Sequence, residues 1–390
     1  MKTIRKRPAL PPALDLQPRS EVLQASTAVH GGIDQEDLDR LGLDAGQILD
    51  FSVNTNPFGT APGVREALAN VALDCYPDPE ARALRKALAD HLDMPLEQIL
   101  AGNGASELIW LVALTFLDAD ARVLVLGPTY SEYARSGALM GAAVTTLLAH
   151  PDDSFTFPAN RILATLRRRR PRLVFLCNPN NPTGAFLESE EINSWARRFP
   201  STLFVVDEAY LGFAMDQRVA GLIPAVRDAN TAGMNPAARR NNVLLLRSMT
   251  KDLGLAGLRL GYALGPAQVT DWLARARPPW SVSSLAQAAG VEALRHPDYY
   301  RDSFKKLADA KTDLVRGLRA LGYQPAASTM PFFLLPVADG SRFRFALLQK
   351  GILVRDAASF GLSGHVRIST RRPEDNARLL AALREVPYAS

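Results

Sequence analysis

Cysteine is nearly missing from the 390 residues: Cys75 and Cys177 are the only two, far apart and without ligand spacing. A disulfide framework and a thiolate metal site are therefore excluded, and a reducing, cytoplasmic setting is expected. No apolar run approaches the length of a membrane span, so no membrane association is expected. Charge of one sign is not concentrated either. The net charge of +5 comes from dispersed Lys and Arg with no nucleic-acid motif beside them, which argues against a nucleic-acid partner. The run at 167–170 reads as the solvated end of a helix before Pro171, and an anionic substrate is the milder reason for a basic balance. Residues 1–28 are Pro-rich and basic but have no apolar core behind the charges. They read as a flexible arm, too short for a DNA-binding domain and unlike a secretory signal. There is no internal repeat. The turn Gly102-Asn103-Gly104 is followed by neither Gly-Lys-Ser/Thr nor a third glycine, since Glu107 stands there, which excludes a Walker loop and a dinucleotide fingerprint.

What is present is an ordinary globular composition, 47% apolar and 22% charged, in a chain long enough for a large and a small lobe. Amphipathic helices are expected at 62–71 and 79–92. Apolar runs near 122–126, 143–148, 172–176, 202–206, 243–246 and 260–264 alternate with helical stretches near 105–117, 130–140, 159–169 and 188–198. That alternation predicts an α/β fold whose mostly parallel sheet is covered on both faces. Sites in such sheets sit beyond the strands' carboxyl ends. After Pro278-Pro279-Trp280 the helical period becomes long, through about Leu321, and marks a smaller α+β C-terminal lobe. That lobe should hold a strand at 330–335, a helix at 342–350 and a last helix from Pro373. The tract 214–242 shows no clear element and reads as an insertion.

Chemistry gathers at three strand ends. The run 243–246 feeds Ser248, Thr250 and Lys251, and a glycine-rich segment leads on to Arg259. A lysine at the end of a buried strand is out of bulk water and beside a cation, which favours the neutral, nucleophilic amine. Ser248, Thr250 and Arg259 together suit a dianion. A cofactor with both an aldehyde and a phosphate is pyridoxal phosphate (PLP). Asp207 ends the run 203–206, where a buried carboxylate keeps a pyridine nitrogen protonated, and Tyr210 follows on the same turn. Asn178-Pro179-Asn180-Asn181-Pro182-Thr183-Gly184 is a stiff, non-helical turn that offers Asn181 as a neutral donor. Gly104, Ala105 and Ser106 open a helix whose free N–H groups favour an anion. Taken singly, these stretches also read as an ordinary loop, a helix-capping Asp and a plain turn.

Together and in this order, the Asn-Pro turn, Asp207-Glu208-Ala209-Tyr210 and Ser248-Met249-Thr250-Lys251 resemble the class I/II aminotransferases of PLP fold type I. The resemblance runs from about Val29 to the C-terminus. It implies the aspartate aminotransferase-like fold, a homodimer and PLP as cofactor. It divides the chain into the arm 1–28, a segment 29–55 packing with the small domain, a PLP domain 56–284 and a small domain 285–390. By it, Lys251 is the catalytic lysine that carries the cofactor, Asp207 pairs with the ring nitrogen, and Asn181 and Tyr210 hold the ring's phenolic oxygen. Gly104, Ala105, Ser106, Ser248, Thr250 and Arg259 bind the phosphate. Tyr130 stacks on the ring, and Tyr76 reaches the phosphate of the other subunit. Arg367 takes a substrate carboxylate, Arg355 a second substrate anion, and Asn181 faces the substrate as well.

Upstream, His30-Gly31-Gly32 followed by Asp50-Phe51-Ser52-Val53-Asn54-Thr55-Asn56-Pro57 is similar to the branch of L-threonine-O-3-phosphate decarboxylases. By that likeness His30, Gly31 and Asn54 contact a small phosphorylated amino acid. The leading expectation is thus decarboxylation of O-phospho-L-threonine in cobalamin biosynthesis. The alternative is transamination, as in histidinol-phosphate aminotransferases, and a non-catalytic PLP-binding protein is a third reading. The cofactor motifs are the same in the first two. Which bond at the substrate's Cα stands perpendicular to the cofactor ring decides between them.

Overall fold

The computed structural model describes residues 16–25, 31–214, 221–223, 226 and 242–386. His30, most of the basic arm and nearly all of the 214–242 tract lie outside the described residues.

Seven strands form the central sheet: β1 Ile99–Gly102, β2 Arg122–Gly127, β3 Ala143–Leu148, β4 Leu173–Cys177, β5 Leu203–Asp207, β6 Val243–Ser248 and β7 Gly261–Leu264. Their order is β1-β7-β6-β5-β4-β2-β3, and only β7 runs antiparallel to its neighbours. The near-continuous apolar runs have a direct cause. Alternate side chains leave a strand on opposite faces, and here both faces are buried. Leu124 and Leu126 enter one core with Val174, Phe204 and Leu245. Val123 and Val125 enter the other with Phe175, Val205 and Leu246. Helices α1 Arg82–Leu92, α2 Gly104–Phe116, α3 Glu132–Leu139, α4 Ala159–Arg169 and α5 Ser189–Arg198 cover the two faces.

Two features differ from the periodicity. Strand β1 was hidden because it is short and ends in the glycine turn that also reads as a helix entry. The long C-terminal helical stretch is broken: α6 Ala267–Ala276 and α7 Ser284–Leu294 precede α8 Pro297–Ala320. Pro297 lacks an N–H and occupies the first helical turn of α8, where that N–H has no intrahelical partner. Helix α7 buries Ala286, Ala289 and Ala293 in the large-lobe core with Leu84 and Leu88 of α1. Along α8, Tyr300 and Leu307 pack into the large-lobe cores, while Leu314 and Leu318 join the small one. The two lobes therefore share a single helix.

The small lobe holds β8 Phe332–Pro336, β9 Arg355–Asp356 and β10 His365–Ser369 in antiparallel order β9-β10-β8. Helices α9 Gly340–Leu348 and α10 Pro373–Leu383 pack with it. Leu49 and Asp50 pair in parallel with Ile352 and Leu353, which ties the N-terminal segment to this lobe. The register of β9 and β10 sets Arg355 opposite Arg367.

The loop after β6 is anchored by glycine. Gly254 has φ +68°, and a Cβ there would lie 2.8 Å from the carbonyl carbon of Gly59. Both the left-handed backbone and the close approach require glycine. Gly254→Ala is expected to destabilise the protein by about 1–3 kcal/mol, read as a lower denaturation midpoint at unchanged slope.

Candidate active site

The carboxyl ends of β2, β4, β5 and β6 open into one cavity of about 340 Å³, closed from the small lobe by β9 and β10. All but three of the residues expected to touch cofactor or substrate line it. Gly104 lies immediately behind Ala105, at the start of α2. His30 is outside the described residues. Tyr76 is not brought to the cavity of its own chain. It stands 81% exposed, stacked on Trp280 with ring centres 4.7 Å apart.

Lys251 emerges from the turn after β6, held by the amide of Asn56, which donates to the Lys251 carbonyl at 2.9 Å. Burial lowers its amine to about 8, and the nearby guanidinium groups of Arg367 and Arg259 push the same way, against the weaker pull of Asp207. The amine is therefore neutral in a good share of molecules near pH 8.

Asp207 is buried, and burial raises its pKa. Two donors oppose that. Tyr133 Oη donates to Asp207 Oδ2 at 2.7 Å, and the Ala209 amide donates to Oδ1 at 2.9 Å. Tyr133 in turn lies flat on Phe175 and edge-on to Tyr130. Its role was not read from the sequence. The available signal was its place three residues after Tyr130, in the turn and helix start that follow β2. Cys177 also lines the cavity, buried beside Asp207 with its thiol pushed far up by burial.

Across the cavity, Asn181 Nδ2 donates to Tyr210 Oη at 3.4 Å, and Arg367 Nη1 donates to Asn181 Oδ1. Arg367 Nη2 donates to the Ser52 carbonyl, while its buried Nε makes no hydrogen bond among the described residues. Burial lowers this guanidinium to about 10, so it stays charged at neutral pH. Asn54 approaches the Tyr210 hydroxyl closely enough to offset part of its burial, yet its own buried Oδ1 and Nδ2 complete no hydrogen bond. Arg355 Nη2 donates to Ser359 Oγ at 2.6 Å, with the guanidinium over Phe360. Ser52, Ser359 and Phe360 were not expected in the site; Ser52 lay within the quoted 50–57 motif without a role, and nothing in the local pattern marked Ser359 and Phe360.

At the opposite end lies a cup for an anion. Helix α2 starts at Gly104 with no side-chain cap, so its first amides are unclaimed by the chain. Ser248 Oγ and Thr250 Oγ1 are 2.6 Å apart, and Ser106 Oγ is 3.3 Å from Tyr130 Oη. Arg259, itself at φ +55°, leans over Gly104, where a Cβ would lie 2.9 Å from its Nη2. These residues fit PLP: an uncapped helix start with hydroxyls and a guanidinium for phosphate, a buried carboxylate for the ring nitrogen, and an amine of lowered pKa for the aldehyde. The orphaned polar atoms of Asn54 and Arg367 face the side left for a substrate.

A family model described as aminotransferase class I and II matches residues 46–383. A histidinol-phosphate aminotransferase of Nitratidesulfovibrio vulgaris is 32% identical over 378 residues, covering 95% of this chain and 97% of that one. The crystal structure of the Sinorhizobium meliloti histidinol-phosphate aminotransferase in complex with pyridoxal-5'-phosphate superposes with a TM-score of 0.82 at 26% identity, over 96% of this chain and 98% of that one. The L-threonine-O-3-phosphate decarboxylase of Porphyromonas gingivalis gives 0.72 at 27%, over 86% of this chain and 98% of that one. These matches overturn the expectation of a phosphothreonine decarboxylase. The physical reason is that the His-Gly-Gly and Asn54 motifs are matched by residue type alone. They do not encode which Cα bond is presented for cleavage.

Acylation of the Lys251 amine by a small reagent, followed by peptide mapping of the cofactor-free protein, should titrate with a midpoint near 8. Reactivity belongs to the neutral amine and so rises with pH through that value. A midpoint at the ordinary lysine value of about 10.4 would refute the desolvated, cation-flanked setting.

Proposed function

The chain belongs to the class I and II aminotransferase family, and from that premise we propose that it is a PLP-dependent aminotransferase acting on a phosphorylated amine, with histidinol phosphate as amino donor. One observation carries the reading. Antiparallel register sets Arg355 opposite Arg367, and both buried guanidiniums line the same cavity as Lys251.

A transaminase must seat two different anions in turn. Histidinol phosphate has an amine and a phosphate but no carboxylate to lose, and the keto-acid acceptor brings carboxylates instead. A guanidinium fork binds either group in two-point fashion. Arg367 is the seat common to both, close to the Asn181 amide, and Arg355 takes the anion farther out. When bound, PLP supplies the electron sink that stabilises the carbanion left when a substrate Cα bond breaks. Asp207, whose burial cost is offset in part by the Tyr133 hydroxyl and the Ala209 amide, would hold the ring nitrogen's proton. Ser248, Thr250, Arg259 and the start of α2 would hold the phosphate, Tyr130 the ring face, and Asn181 with Tyr210 the phenolic oxygen. Lys251, whose amine lines the cavity, would serve as the base that takes the substrate's Cα proton and as the acid that gives it back. The exposed Tyr76–Trp280 pair suits a surface covered in a homodimer, from which Tyr76 would complete the partner's phosphate cup.

Purified enzyme with PLP, histidinol phosphate and 2-oxoglutarate should form glutamate in step with histidinol phosphate consumption, followed by coupled glutamate assay. Turnover that releases CO2 from O-phospho-L-threonine with no keto acid, and no glutamate from the pair, would sink this reading. Arg367→Ala should raise KM for both substrates by about 100-fold, the ~3 kcal/mol of a lost buried charge contact, while the visible absorption of bound PLP persists. Loss of the cofactor band in that variant would instead assign Arg367 to the cofactor.

A further inference from the structure

The arginines that look dispersed along the sequence are not dispersed in the fold. At the edge of the sheet opposite the active site, the amino ends of β2, β4 and β5 lie side by side. The Arg172 amide donates to the Arg122 carbonyl at 2.7 Å, and the Leu203 amide donates to the Arg172 carbonyl at 2.9 Å. Helix α4 ends at the same edge with Arg167 and with Arg170, which caps it at φ +44°. Helix α5 adds Arg198. Arg122, Arg167, Arg170, Arg172 and Arg198 line one cavity of about 510 Å³, with Asp120 as its acidic member. Arg172 is paired with Asp118 at 2.7 Å. Among the described residues, the other four make no ion pair. All five side chains are solvent-exposed, while half-buried Phe199 lines the same cavity.

Four uncompensated guanidiniums converging on one concavity repel one another, and a multivalent anion relieves that repulsion. Guanidinium forks match phosphate oxygens, and Phe199 offers an apolar face for a planar base. The cavity volume is that of a small-molecule site, and the charge is confined to it rather than drawn out in a stripe. We propose that this face binds a nucleoside triphosphate, on the side of the large lobe away from the PLP cavity. The strands between the two are five to six residues long, which sets them roughly 17 Å apart.

The test uses PLP-loaded enzyme, so that the phosphate cup of the active site is filled, titrated with ATP by calorimetry at low salt. Saturable binding at one ATP per chain is expected, weakening at least about tenfold as salt rises towards ~0.3 M. The double variant Arg170→Gly, Arg198→Gln should lose at least about tenfold in affinity while aminotransferase kcat/KM is unchanged. Glycine is chosen because it accepts the left-handed backbone at 170, and retained activity shows that the variant is folded. Adenosine alone should not bind. The proposal is overturned by an absence of saturation up to about 5 mM ATP, by unchanged affinity in the double variant, or by single-stranded oligonucleotides binding more tightly than ATP with growing length. ATP binding to the unmodified enzyme is scored without turnover, so a failure of this proposal and a failure of the transamination reading are distinguishable.

Discussion

The removal of the Lys251 amine from water is the constraint on which the rest of the site depends. A buried ammonium flanked by Arg259 and Arg367 is disfavoured, so the nitrogen is available as nucleophile and base near neutral pH. The same burial works against Asp207, whose carboxylate has to stay charged to be useful. Tyr133 and the Ala209 amide offset that cost. The cavity thus acts on two groups of opposite charge with one apolar environment, and the hydrogen bonds to Asp207 offset part of the cost of its charged form.

The sheet makes this possible. Parallel strands buried on both faces end together, and each delivers a different function at its carboxyl end: Tyr130 just beyond β2, Asn181 after β4, Asp207 at the end of β5 and Lys251 after β6. The small lobe supplies two guanidiniums, Arg355 and Arg367, from two strands in register. Because α8 runs through both lobes and packs into the cores of each, the cofactor side and the substrate side of the cavity are held on a common support.

Much of this was legible in the order of residues. The strand runs were visible because double burial leaves no polar interruption. The Asn-Pro turn, Asp207 and Lys251 stood out because turns at strand ends carry few side chains that are not there for a reason. Strand β1 was obscured by brevity, and the split at Pro297 was hidden by helical periodicity continuing on both sides of it. Tyr133 looked like one more aromatic on a helix; only its approach to Asp207 gives it meaning. The decarboxylase expectation failed for a different reason, because the residue types it leaned on do not encode which Cα bond is presented for cleavage.

The sequence by itself determined the fold class, the cofactor and the kinds of group that would meet it, since burial patterns and turn chemistry are local properties of the chain. Only the tertiary structure decided the couplings. These are the pairing of Arg355 with Arg367, the grip of Tyr133 on Asp207, and the gathering of five arginines at the far edge of the sheet. Tyr133 and Asp207 lie far apart in sequence, as do Arg122, Arg172 and Arg198, and even the nearer Arg355 and Arg367 face each other only once strand order and register are set.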